Sequence, residues 1–143
     1  MIKTLLTLTA SAMFFASAAL ADIQHIVIFK YRDGVEASTK ADIAKRFIGL
    51  KDIARHDGKP YILSIVGGKA ASQEGFDQGF EEAFILTFKT KSDRDYFVGK
   101  PYQETMDPDH LALAKVAEPL LTHDAEGKAT GLYVFDFDDG VAH

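Results

Sequence analysis

The stretch Gln24-His25-Ile26-Val27-Ile28-Phe29-Lys30-Tyr31 constrains this chain more than any other. Its β-branched and aromatic content predicts a strand, and a period of two puts His25, Val27, Phe29 and Tyr31 on one face, Ile26, Ile28 and Lys30 on the other. Both faces are apolar enough to need cover, whereas one layer of helices covers only one. The second face therefore needs a partner. We assign it the His25 side, where a buried strand ordinarily carries an aliphatic residue.

With 143 residues the chain has room for one domain. Ahead of the strand, Lys3, the apolar run from Leu5 to Phe15 and the small-residue signal Ala19-Leu20-Ala21 predict a secretory signal peptide over residues 1–21. Removal after Ala21 would leave residues 22–143 as one domain, periplasmic or secreted. The apolar run falls short of the ~20 residues a membrane span needs. A formal charge of −5, with no cluster of Lys and Arg, argues against nucleic acid or an anionic membrane as partner. The chain has no cysteine, which rules out disulfides, thiol catalysis and thiolate metal sites.

Downstream, Asp33-Gly34 marks a turn, and a helix is expected from Thr39, capped by its hydroxyl with Asp42 completing a capping-box pattern. Ile43, Phe47, Leu50 and Ala54 form its apolar stripe. Tyr61 to Val66 reads as a second strand that Gly67-Gly68 bends or ends, and Phe80 to Phe88 as a third. No helical repeat lies between them, so they form a hairpin with a long connection. Ser92 to Val98 reads as a short helix stopped by Gly99, Asp107-Pro108 starts another that runs to Pro119, and Leu132 to Phe137 is the closing strand. The order strand, helix, strand, strand, helices, strand is the ferredoxin-like βαββαβ plan of the α+β class, a four-stranded antiparallel sheet with helices on one face. Two such sheets packed face to face would cover the remaining apolar surface in a two-fold homodimer, a dimeric α/β barrel.

His25-Ile26-Val27-Ile28-Phe29-Lys30-Tyr31, the Glu74-Gly75-Phe76-Asp77-Gln78-Gly79-Phe80 loop, Phe84 to Phe88, Asp95-Tyr96, Asp107-Pro108-Asp109-His110 and Val134-Phe135-Asp136-Phe137 occur in an order that resembles the stress-responsive dimeric α/β-barrel (Dabb) domain family. The resemblance implies a homodimeric barrel with a cavity enclosed by the non-helical sheet faces. It also implies either of two roles: stress protection or ligand holding without chemistry, or cofactor-free ring closure as in the family's plant member olivetolic acid cyclase. Carried over by position, the cyclase's Tyr-His pair falls on Tyr96 and His110, its strand-one cavity histidine on His25, and a further cavity histidine on Glu82. The family's His-Pro-Ala-His run is here Asp107-Pro108-Asp109-His110, with the first histidine lost, and residues Gly99 to Met106 resemble an insertion between the tyrosine and the histidine.

The candidate catalytic residues are thus His110, Tyr96 and His25, and the candidate ligand-binding residues His25, Val27, Phe29 and Glu82. A neutral imidazole can take a proton and a tyrosine hydroxyl can support the enolate that forms, which suits aldol, isomerase or lyase chemistry on a small carbonyl compound. Equally, His25 suits a hydrogen-bonded core histidine, and Tyr96 a packed aromatic. His25, Glu82 and His110 have the composition of a facial triad but no tight spacing, so neither a metal nor a cofactor is expected. His56, His123 and His143 fall in loops or the tail. The expected function is an exported homodimer that binds a small apolar or aromatic ligand or protects under stress; the alternative is a His-Tyr enzyme.

Overall fold

The computed structural model describes residues 22–140, so the expected signal peptide and His143 lie outside the described residues. Strands β1 (Ile23–Phe29), β2 (Ile62–Lys69), β3 (Glu82–Phe88) and β4 (Leu132–Asp138) form one sheet in the order β2-β3-β1-β4, with every neighbouring pair antiparallel. Helix α1 (Ala37–Ile53) follows β1, and α2 (Lys91–Val98) and α3 (Pro108–Ala117) follow β3. A 3₁₀ turn over Glu118–Leu120 leads toward β4. This is the ferredoxin-like α+β arrangement that the element order predicts. No helix among the described residues is long and apolar enough to cross a membrane.

Burial alternates along β1, with Ile23, His25, Val27 and Phe29 buried and the residues between them partly exposed. Phe84, Leu86 and Phe88 of β3 point the same way, and Ile43, Phe47 and Leu50 of α1 with Phe97 of α2 pack onto them. The helix layer therefore covers the His25 face. This corrects the expectation that His25, Val27 and Phe29 look into a space shared with a second sheet. Both faces of β1 are apolar, so the alternation alone does not say which face the crossover helices take. The opposite face is left bare: Leu63, Val66, Ile85, Tyr133, Phe135 and Phe137 are all exposed.

Three local expectations are also corrected. Sheet pairing of β1 ends at Phe29, and Tyr31 continues only as a single bridge to Leu121. Helix α1 begins at Ala37 behind Glu36, which makes no side-chain cap bond; Thr39 lies inside the first turn and Asp42 pairs with Arg46 at 2.7 Å instead. Strand β2 runs through Gly67 and Gly68 because Phe84, opposite Gly67, lays its ring where a side chain would be. A Cβ on Gly67 would sit 2.4 Å from Phe84 Cδ1. The missing side chain is filled from the neighbouring strand, which lets the ladder continue.

Of the helices that carry the candidate residues, α2 starts at Lys91 behind Thr90 rather than at Ser92, whereas its stop at Gly99 and the Asp107 cap of α3 are as expected. Thr90 Oγ1 accepts from the Asp93 amide at the start of α2, and Gly99, with φ +71°, ends it. Asp107, completely buried, accepts from the Asp109 and His110 amides through Oδ1 and from the Tyr61 hydroxyl through Oδ2 at 2.6 Å. One carboxylate thus fixes the first turn of α3, and with it His110, to the start of β2. Helix α3 leans on α1 rather than on the sheet, which leaves a space between α3 and the β1–β4 pair.

Candidate functional site

That space is a cavity of about 290 Å³. Val27 and Phe29 of β1, Leu132 and Val134 of β4, and Phe47, Leu113, Ala117 and Leu121 form its apolar wall. His25 and His110 also line it, with Val98, Met106 and Ala114 completing the helical side and Lys100 and Glu118 exposed to solvent. Leu132 and Val134 are 41% and 47% exposed although they sit on the helix-covered face, because no helix lies directly over β4.

His25 is only 4% exposed. Its ring meets Phe88 and Phe97 edge-on, and its Nδ1 lies 2.5 Å from Oδ1 of Asp136, the residue directly opposite on β4. Asp136 Oδ2 accepts from Arg94, whose Nε also donates to Asp95 at 2.8 Å and whose guanidinium stacks 4.0 Å from the Tyr102 ring centroid. With Arg94 beside it the carboxylate is an acceptor, so His25 Nδ1 carries the proton and donates it. Burial pushes the His25 pKa below its usual value against the pull of Asp136, so the ring is neutral near pH 7.

His110 reaches the same state by a different route. Its Nδ1 lies 2.7 Å from the Phe97 carbonyl, which can only accept, so Nδ1 again carries the hydrogen. Its ring stacks on Phe97 with centroids 3.9 Å apart and planes 8° from parallel, so Phe97 touches both imidazoles, face-on to His110 and edge-on to His25. Burial pushes its pKa down too, and His25 is near enough for its charge to add to that effect. Neither Nε2 makes a hydrogen bond among the described residues, and neither is sealed away as a buried atom without a partner. The cavity therefore presents two unprotonated imidazole nitrogens.

The remaining expected residues lie elsewhere. The Tyr96 hydroxyl donates to the Arg55 carbonyl at 3.2 Å and its ring stacks on His56 at 4.0 Å, so Tyr96 does not line the cavity that holds His110. Adjacent helical residues point about 100° apart, and α2 spends its inward direction on Phe97. The segment from Gly99 to Met106 folds back so that the Asp107 amide donates to the Tyr96 carbonyl, with Gly99 tucked against Met106. Glu82 is buried on the same sheet face but at the far end of β3, where its Oε2 accepts from the Tyr31 hydroxyl at 2.9 Å. It borders two other hollows, one of about 450 Å³ on the bare face of the sheet beside Phe76, Phe80 and Tyr133. That hollow is larger and more open, but it lacks both imidazoles, so the chemistry points to the smaller one. Among the described residues no group of three or more His, Asp or Glu side chains is placed to hold a metal ion.

Sequence reasoning missed the Asp136–Arg94 support of His25. The only trace of it is an acid between two aromatic residues in Val134-Phe135-Asp136-Phe137, and its meaning depends on the β1–β4 register.

The family model of the Stress responsive A/B Barrel Domain, Dabb, matches residues 23–138. A search of curated proteins finds no match. Among solved structures, the hydroxynitrile lyase of Passiflora edulis is similar with TM-score 0.63 and 20% identity over 82% of this chain and 93% of that one. The At3g17210 protein of Arabidopsis thaliana gives 0.60 and 19% over 81% and 93%. A dimeric ferredoxin-like protein of unknown function from a Jannaschia species gives 0.61 and 15% over 82% and 98%. At these identities the likeness establishes the fold and transfers no activity.

Proposed function

The chain belongs to the stress responsive A/B barrel domain family, and on that basis we propose that it is an exported homodimer whose subunits each bind a small, mainly apolar or aromatic ligand in the cavity between the sheet and α3. The observation that carries this reading is the pairing of an apolar cavity of about 290 Å³ with two inward-facing imidazoles held by defined hydrogen bonds. An apolar cavity of about 150 Å³ already accepts benzene, so an aromatic ring with substituents fits here. Pockets with this balance of apolar wall and few placed polar groups are the usual form of small-molecule sites.

Two further features support the homodimer and the export. The bare sheet face exposes Val66, Ile85, Tyr133, Phe135 and Phe137 across β2, β3 and β4, an apolar patch of the kind that marks an interface, and a second copy of the same face would cover it. Dimeric relatives such as the Jannaschia protein favour that arrangement. The leader-like residues 1–21, with Ala19-Leu20-Ala21 before Asp22, support removal after Ala21 and a periplasmic or secreted location. Native mass spectrometry of protein recovered from the periplasm tests all three parts: a mature chain starting at Asp22, a dimer, and a retained small molecule. A monomer that releases nothing and melts no higher with any aromatic probe would remove the reading.

The His25–Asp136–Arg94 chain favours a second reading, cofactor-free acid–base catalysis. A carboxylate that fixes the tautomer of a neutral imidazole leaves its Nε2 ready to take a proton from a hydroxyl or from carbon. In this reading His25 and His110 would act together, since the Tyr96 hydroxyl is engaged by Arg55. The lyase among the structural relatives suggests one assay, decomposition of an aromatic cyanohydrin; a rate no greater with native protein than with H110L counts against catalysis.

A further inference from the structure

The polar lining of the cavity is almost all of one kind. His25 donates its Nδ1 hydrogen to Asp136 and His110 donates its own to the Phe97 carbonyl, so both rings offer the cavity only a lone pair at Nε2. The other charged groups on the lining stand at its exposed side and are engaged elsewhere, Lys100 with Glu104 at 3.1 Å and Glu118 with His123 at 2.8 Å. The rest of the wall is hydrocarbon and aromatic ring. Empty of ligand, such a site satisfies its two acceptors with water; a ligand that displaces that water without offering hydrogens leaves two buried nitrogens unpaired.

From this arrangement we infer that the cavity selects a small apolar molecule carrying two hydrogen-bond donors, hydroxyl or N–H, one for each Nε2. A diol or a dihydroxyarene meets the requirement; the same carbon frame with its hydroxyls methylated has the shape but not the hydrogens. Sites built to pair with a substrate hydroxyl reject analogues that lack it far more strongly than apolar pockets sort by size. The inference rests on the cavity being a ligand site at all, and the test separates the two.

Catechol, resorcinol and hydroquinone sample three oxygen spacings, and each has mono- and dimethyl ethers as controls. Titration into the full mature protein is followed by isothermal calorimetry and by chemical-shift changes, at pH about 8 where both rings are neutral. At least one diol should bind, with affinity falling about tenfold for each hydroxyl methylated. In H110L, which keeps the volume and removes one acceptor, the preference for the diol over its monomethyl ether should fall to within about twofold while binding of the monomethyl ether persists. Ethers that bind as well as the diols would overturn the donor requirement and leave the ligand site standing. No binding by any diol or ether would overturn both.

Discussion

Replacing Asp136 by Asn keeps the shape of the side chain but cannot serve both of its partners. The carboxylate gives one oxygen to His25 Nδ1 and the other to Arg94. Asparagine has a single oxygen and an NH2 group, and the charged guanidinium has the stronger claim on that oxygen. The amide NH2 then faces His25 Nδ1, which must become the acceptor, so the ring proton moves to Nε2 and the cavity loses one of its two lone pairs. Hydrogen bonds to a charged partner contribute about 1.5–3 kcal/mol. Asp136 and Arg94 remain 21% and 11% exposed, which screens part of the loss. A net destabilisation of about 2 kcal/mol follows, or a fall in Tm of about 6–10 °C for a domain of this size. Denaturation at fixed protein concentration measures the first effect, and long-range proton–nitrogen NMR of the histidine rings measures the second. A variant that melts with the native protein and keeps the hydrogen on Nδ1 would refute the idea that Asp136 sets the state of His25.

Other perturbations probe other parts. Gly67→Ala should cost about 1–3 kcal/mol in a urea titration, since its Cβ would fall 2.4 Å from Phe84 Cδ1; an unchanged midpoint would contradict the ring-over-glycine packing. Phe135→Asp, on the bare face where Phe135 is 52% exposed, should yield a folded monomer by native mass and circular dichroism, and a persistent dimer would move the interface elsewhere. Burial holds the pKa values of both His25 and His110 below the ordinary 6.5, so the unfolded chain binds their protons first as the solution is acidified. Stability should therefore be full above that value and decline as pH drops below it, by up to about 1.4 kcal/mol per pH unit for each ring. His123, raised by its hydrogen bond to Glu118, works in the opposite direction but sits at the surface. Equal urea midpoints at pH 8 and at about pH 5.5 would contradict the neutral state of the two rings.

What could be read in the sequence was what short-range physics decides. The Asp107-Pro108 start of α3, the Gly99 stop of α2 and the alternation of β1 depend on a few neighbouring residues, and all three recur in the structure. The start of α1 is an exception among the local features, since Thr39 and Asp42 fit a capping box but the chain enters the helix one turn earlier, at Glu36. The face that His25 takes was hidden, because Ile26 and Ile28 are as apolar as Val27 and Phe29 and only the crossover helices break the tie. Continuation of β2 past Gly67 depends on Phe84, and the support of His25 depends on Asp136, 111 residues away along the chain. Position also misled for Tyr96, where one residue's rotation on a helix separates a side chain in the core from one that rests on Arg55 and His56. Thus the fold followed from periodicity and capping, whereas the site followed from register and rotation, which a linear pattern does not carry.

The state of two nitrogen atoms decides what the cavity can bind. Long-range proton–nitrogen spectra of the native protein at pH about 8 should show His25 and His110 with the hydrogen on Nδ1 and a bare Nε2, the tautomer that free histidine disfavours, and both Nε2 signals should move when a tightly bound dihydroxybenzene is added. Hydrogens on Nε2, or signals that stay still while the ligand binds, would contradict it.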